Sequence, residues 1–264
     1  MRTLLILLVS FFIFSGCATK SVENPSDQTT DALVVSSSDD FDDDFDDFDD
    51  ASFEIKKVYD PLSGYNRFMT GFNDKFFVYV LDPVASAYDY VVNKEIRESI
   101  KNFFHNLLYP VRAVNNLLQL KFKNTLEETG RFAINSTIGL LGLFDPAKSW
   151  FDLEAHEEDF GQTLGHYGVG SGFHIVLPFL GPSNLRDALS LYADAYVDPI
   201  YYYKDRSYNL LENGETAIFI KSYDIVNDES LQLGDYKMLK EDAVDLYTYL
   251  RDIYEQNRDK KIKE

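Results

Sequence analysis

The 264-residue chain carries 44 Asp/Glu against 25 Lys/Arg, a formal net charge of −19. That balance argues against a nucleic-acid partner and against electrostatic attraction to anionic headgroups. Cys17 is the only cysteine, which excludes a disulfide or a cysteine-based zinc site within one chain.

Met1-Arg2 precedes an apolar run from Leu4 to Phe14 that only Ser10 breaks. Residues 1–16 therefore read as an export signal, shorter than the ~20 residues a spanning helix needs. Phe14-Ser15-Gly16-Cys17 resembles a bacterial lipobox, with Phe14 where Leu is usual. Cleavage before Cys17 would leave its sulfur for lipid attachment, and two or more acyl chains would make the anchor stable. Ala18 stands where an Asp would resemble an inner-membrane retention signal, which favours the outer membrane. Residues 17–58 form an acidic tether containing SSSDDFDDDFDDFDD (36–50), and acids exceed bases by 11 between residues 18 and 60. Such a segment buries too little apolar surface to offset its ordering entropy, so a disordered spacer is expected. Phe41, Phe45 and Phe48 as partner anchors, or the acids as a loose Ca²⁺ site, are the alternatives. The spaced Gly and final Glu of an EF-hand loop are missing.

From residue 59 the pattern is helical, and about 200 residues suffice for one core. Ile96, Ile100, Phe103, Phe104, Leu107, Leu108, Val111, Val114 and Leu118 make an apolar stripe interrupted at Pro110. Asp-Pro pairs at 60–61, 82–83, 145–146 and 198–199 read as helix starts, with Asp as N-cap and Pro at the first helical position. Further helices are expected at 65–80, 84–92, 121–137, 183–196, 206–222 and 235–257. HIVLP (174–178) is the one convincing extended run. A body over 59–225 and a charged helix with its tail over 226–264 complete the division. The 18 Tyr and 21 Phe suit a core, but tyrosines beside apolar runs also suit a membrane–water interface.

The centre, EDFGQTLGHYGVGSGFHIVLPFLGPSNLRD (158–187), is glycine-rich and nearly neutral. GVGSGF (168–173) fails as a dinucleotide loop because Phe173 replaces the last glycine. Neither Ser171 nor Ser183 fits a nucleophile elbow. His105, His156, His166 and His174 lack metal-ligand spacing. His156-Glu157-Glu158-Asp159 could bind metal or move protons, but fits the solvated first turn of a helix better. Gly161, Gly165, Gly168, Gly170, Gly172 and Gly181 permit tight turns, and Ser183 or Asn184 could cap the next helix. A non-helical segment at about 165–182 is expected.

The 158–187 run, together with DPLSGYNRFMTGFN (60–73), LDPVASAY (81–88), NFFHNLLYPVRAVNNLLQLK (102–121) and GRFAINSTIGLLGLFDPA (130–147), resembles the MlaA (VacJ) lipoproteins of diderm bacteria. The likeness covers residues 59–200 and fades beyond. Ser63 stands where family members usually carry an acid, and the acidic tether is not a family hallmark. The resemblance implies a mainly α fold: a ring-like bundle of amphipathic helices lying in one leaflet of the outer membrane. It implies a lipid-anchored protein on the periplasmic face, with no cofactor and no catalysis. An amphipathic channel would take mislocalised glycerophospholipids from the outer leaflet to a soluble periplasmic carrier of the Mla type, beside porin trimers. Phe72, Asn73, Gly168, Gly170, Gly172, Phe173, Leu177 and Phe179 are the candidates for lipid path or gating. A non-catalytic adaptor bound to porins is the main alternative. A phospholipase using Ser171 or Ser183 with a histidine is the other.

Overall fold

The computed structural model describes residues 58–201, 209–211 and 213–264. The export signal, Cys17 and the acidic tether up to residue 57 lie outside the described residues. The fold is mainly helical, with two short strands among the described residues.

The first rod comprises α1 (Ser63–Phe76), a π-helical turn (Phe77–Leu81) and α2 (Asp82–Val91). It runs straight through Asp82-Pro83, where a helix start was expected. Asp82 has helical dihedrals (φ −60°, ψ −45°), and its N–H reaches back five residues to the Phe77 carbonyl. The wide π turn accommodates a proline that cannot donate and would crowd the carbonyl four residues earlier. Asp60 is not an N-cap either. Helix α1 begins beyond it, and its carboxylate accepts from Asn66 Nδ2 (2.9 Å) and from the Tyr247 hydroxyl. Only Asp145 caps as expected, accepting from Lys148 N at 3.0 Å with Pro146 opening the helix. Asp198 closes a turn by accepting from Ile200 N at 2.7 Å.

The predicted apolar stripe becomes α3 (Lys94–Leu107) and α4 (Tyr109–Leu118), parted at Leu108 just before Pro110. Helix α5 (Phe122–Thr137) follows as expected. Two short helices follow the start signals at Asp145-Pro146 and at 156–159, although no range was expected for either: α6 (Pro146–Phe151) and α7 (Phe160–His166). Asp159 caps α7 through Gln162 N at 2.8 Å, while residues 156–158 stay outside the helix. Strand β1 (His174–Leu177) is the HIVL run, and β2 (Gly181–Asn184) pairs with it antiparallel, Val176 opposite Pro182. Asn184 caps α8 (Leu185–Val197) through Asp187 N at 2.9 Å. Helix α9 spans Gly214–Ser230, later than the predicted 206–222, because Asn213 supplies the cap. The predicted 235–257 helix is broken into α10 (Asp235–Asp242) and α11 (Leu246–Lys263), with Ala243 extended between them.

The interior is rich in polar groups, and many large apolar side chains lie at the surface. Among the described residues the buried set holds eight apolar side chains and 23 polar or charged ones, the reverse of a water-soluble core. Most of these polar groups have partners, although Asn116 Oδ1, Arg131 Nε and His174 Nε2 have none. Arg112 and fully buried Glu128 pair at 2.8 Å, and Glu128 also accepts from His156 N. Arg131 reaches Asp145 at 2.7 Å, and Lys121 reaches Glu158 at 2.6 Å. Phe68, Tyr79, Leu126, Leu141, Trp150, Ile218 and Phe219 are all exposed. No described helix is long and apolar enough to cross a membrane.

Candidate functional site

Two asparagines seven residues apart on α1 hold the hairpin. Asn66 donates from Nδ2 to His174 O (3.0 Å) and accepts at Oδ1 from Val176 N (2.9 Å). Asn73 donates to Leu177 O (2.9 Å) and accepts from Phe179 N (2.8 Å). Each side chain thus imitates a neighbouring strand. The spacing matches: seven helical residues rise ~10.5 Å, and three strand residues span ~10 Å. The second clamp brackets Pro178 and fixes Phe179 at φ +64°, a left-handed conformation costing a bulky residue ~1–3 kcal/mol. Phe72 and Phe76 meet the Phe179 ring edge-on at 5.3 and 4.8 Å.

Behind this clamp lies a largely apolar cleft of about 660 Å³, within the ~300–1,000 Å³ typical of small-molecule sites. Phe76, Phe77, Val80 and Val84 line one wall, with Val176, Phe179 and Pro182 from the hairpin opposite. Helices α9, α10 and α11 close it through Ile225, Val226, Tyr236 and Leu250. Tyr236 packs on Phe77 with ring centroids 4.1 Å apart and donates its hydroxyl to Asp74 (3.0 Å), and Lys240 binds the same carboxylate. Burial and the nearby Asp74 charge raise the Tyr236 phenol, which stays a neutral donor.

The other hairpin face borders a polar cavity of about 250 Å³, lined by Leu177, Ser183, Asp187, Asp194, Tyr254 and Arg258 among others. Arg258 binds Asp159 through two nitrogens (2.6 and 2.8 Å) and Asp187 at 2.8 Å. Burial pushes both carboxyls up, but Arg258 at Asp159, and Arg186 with Arg258 at Asp187, outweigh it and hold them below the usual range. Tyr254 donates to Asp187 (2.7 Å), and the Ser183 hydroxyl points to Asn184 O at 3.4 Å. His174 is buried beside Glu255 (2.9 Å), and no described hydrogen bond joins Ser171 or Ser183 to a histidine. No grouping of His, Cys, Asp and Glu among the described residues could hold a metal ion. Glu157, on the surface, instead pairs with His105, a bond that lowers its carboxyl to about 2.

The MlaA lipoprotein family model matches residues 58–261. The chain belongs to the MlaA lipoprotein family. The family match continues past residue 200, through α9 to α11, where the quoted motifs had faded. Similar proteins include an uncharacterized protein of Rickettsia typhi, 37% identical over 58% of this chain and 61% of its own length. A Rickettsia bellii protein is 32% identical over 77% of both chains. The intermembrane phospholipid transport system lipoprotein MlaA of Haemophilus influenzae is 30% identical over 77% of this chain and 79% of that protein. A solved structure described as the structural basis for maintenance of bacterial outer membrane lipid asymmetry aligns with TM-score 0.63 and 32% identity, over 77% of this chain and 98% of that one.

In this MlaA-family chain the eight candidates fall into two groups. Phe72, Asn73, Leu177 and Phe179 meet at the clamp, and Asn73 and Phe179 line the cleft. Gly168, Gly170, Gly172 and Phe173 lie in the approach to β1, outside the cleft lining. Gly172 (φ +75°) sits so close to Leu185 that an added Cβ would meet it at 2.9 Å, a packing requirement. Sequence reasoning missed Asn66, the α9–α11 wall and the Arg258 cluster. An Asn at i and i+7 on a helix was the available signal.

Proposed function

We propose that this chain is an outer-membrane lipoprotein, anchored through Cys17 on the periplasmic face. It removes mislocalised glycerophospholipids from the outer leaflet through an amphipathic path and passes them to a periplasmic carrier, beside porin trimers. The observation that carries this reading is an apolar cleft within a body whose interior is rich in polar groups and whose surface exposes many large apolar side chains. Such a surface suits hydrocarbon, and a body lying in one leaflet needs no ~20-residue span. Helices satisfy their own backbone there. The phospholipid-transport naming of the Haemophilus relative supports the same reading.

The test is outer-leaflet phospholipid content after gene deletion, with restoration by wild type and by Cys17→Ala. Accumulation that only the wild type reverses supports anchored lipid removal. Unchanged surface lipid in the deletion strain, with porin binding intact, would replace this reading by the adaptor.

A further inference from the structure

The hairpin stands between two cavities. Val176 and Phe179 line the apolar cleft, Leu177 and Ser183 line the polar cavity, and Leu180 and Pro182 border both. A second polar cavity of about 330 Å³ adjoins the first, and Asp159, Leu191 and Asp194 line both. Most charges on these walls are matched. Arg258 answers Asp159 and Asp187, with Arg186 also on Asp187. Lys221 answers Asp198, Lys121 answers Glu158 and Glu128 answers Arg112, while Glu157 is hydrogen-bonded to the His105 imidazole.

Asp194 is the exception. It accepts from Phe160 N (3.0 and 3.1 Å) and Asn115 Nδ2 (2.9 Å), all uncharged donors, and makes no described ion pair. Burial first, then the neighbouring Asp159, push its carboxyl up to about 6, and Arg258 does not offset them. Both cavities therefore share one uncompensated carboxylate and offer no uncommitted cation. An anionic group would meet repulsion there, whereas an ammonium would be attracted.

We propose that Asp194 receives the ammonium of a zwitterionic phospholipid headgroup, so that amine-bearing lipids are preferred over anionic ones. The acyl chains occupy the apolar side of the hairpin, and the phosphate stays at the cavity mouth, away from Asp159. This rests on the lipid-transport reading and adds the headgroup class to it.

The experiment uses the full-length lipoprotein in nanodiscs with equal amounts of photo-crosslinkable phosphatidylethanolamine and phosphatidylglycerol, acyl chains matched. Covalent adducts are counted by mass spectrometry. Wild type should favour phosphatidylethanolamine about fivefold, the ratio that ~1 kcal/mol gives. Asp194→Asn should bring the ratio to about one with total adduct unchanged, because the apolar cleft is intact. Leu191→Lys, which places an ammonium beside an unaltered Asp194, should do the same and guards against misfolding of the first variant. Equal labelling by wild type, or selectivity surviving in both variants, overturns the headgroup assignment and leaves lipid binding standing. No adduct with either lipid overturns the lipid-transport reading as well.

Discussion

Arg258 is the residue on which the buried charges turn. It is nearly buried, and it joins Asp159 on the α7 cap to Asp187 in the first turn of α8. Both carboxyls have lowered pKa values when folded. A lowered carboxyl contributes stability that is complete above its unfolded value, near ~4, and is lost as pH falls through the folded value. Arg258→Met should therefore cost about 3 kcal/mol at pH 7, the low end for a broken buried pair because Asp159 is partly exposed. The cost should shrink below about pH 4, where the stranded carboxyls take up protons. Thermal melts of both proteins at pH 7 and pH 3.5 check this, and an equal difference at the two pH values would contradict it. Asp194 has the opposite sign: its pKa rises from near ~4 to about 6 on folding, so stability falls as pH rises through that interval. Asn73→Ala removes two backbone partners of the hairpin turn at once. It should lower stability by about 1–3 kcal/mol and speed amide exchange at Phe179, with β1 near Asn66 protected.

At the level of elements, legibility followed the source of each element's order. Helix α5 and the α3–α4 pair were readable because apolar residues recur every three or four positions and Pro110 marks the break. Helix α6 has only six residues, and α7 carries Gly161 and Gly165, so neither shows a periodic stripe. The π turn was invisible because an Asp-Pro pair has the same local signature at a helix start and inside a bulged helix. The hairpin's second strand, Gly-Pro-Ser-Asn, has poor strand propensity and is held by tertiary contacts instead. The candidate site was half legible for the same reason. Phe72-Asn73 and the Leu177–Phe179 turn stand in quotable motifs, whereas the α9–α11 wall is brought to Phe72-Asn73 from more than a hundred residues along the chain. The glycines of α7 that hid it also admit α11: a Cβ on Gly165 would lie 2.5 Å from Ile262 Cδ1. Gly165→Val should push α11 off α7 at a cost of about 1–3 kcal/mol, with faster exchange confined first to residues 254–263. Uniform loosening of the whole body would show that α11 is not a separable wall.

For the whole molecule, the decisive contrast is between a surface that exposes many large apolar side chains and an interior rich in paired charges. In water, exposure of Phe68, Leu126, Leu141, Trp150 and Phe219 together would be an aggregation hazard. In hydrocarbon the same side chains cost nothing, and the buried ion pairs become the element that fixes one packing. The overall charge of −19 does not conflict with this, because more than half of it precedes residue 61. Trp150 offers a direct reading, since it is the only tryptophan and is 69% exposed on α6, beside half-exposed Phe151. Nearby Leu140, Leu141 and Phe144 are exposed too, and no charged residue interrupts 132–144. If that surface lies in lipid, Trp150 should emit at short wavelength in nanodiscs and be quenched by acyl chains brominated near their midpoint more than by bromide in the buffer. A polar neighbour should shift it little: Lys148→Gln leaves the quenching unchanged, because Lys148 is engaged with Asp152 and Glu154 at the helix edge. Emission at long wavelength with strong quenching by aqueous bromide would place this face in water and remove the main physical support for a body set within one leaflet.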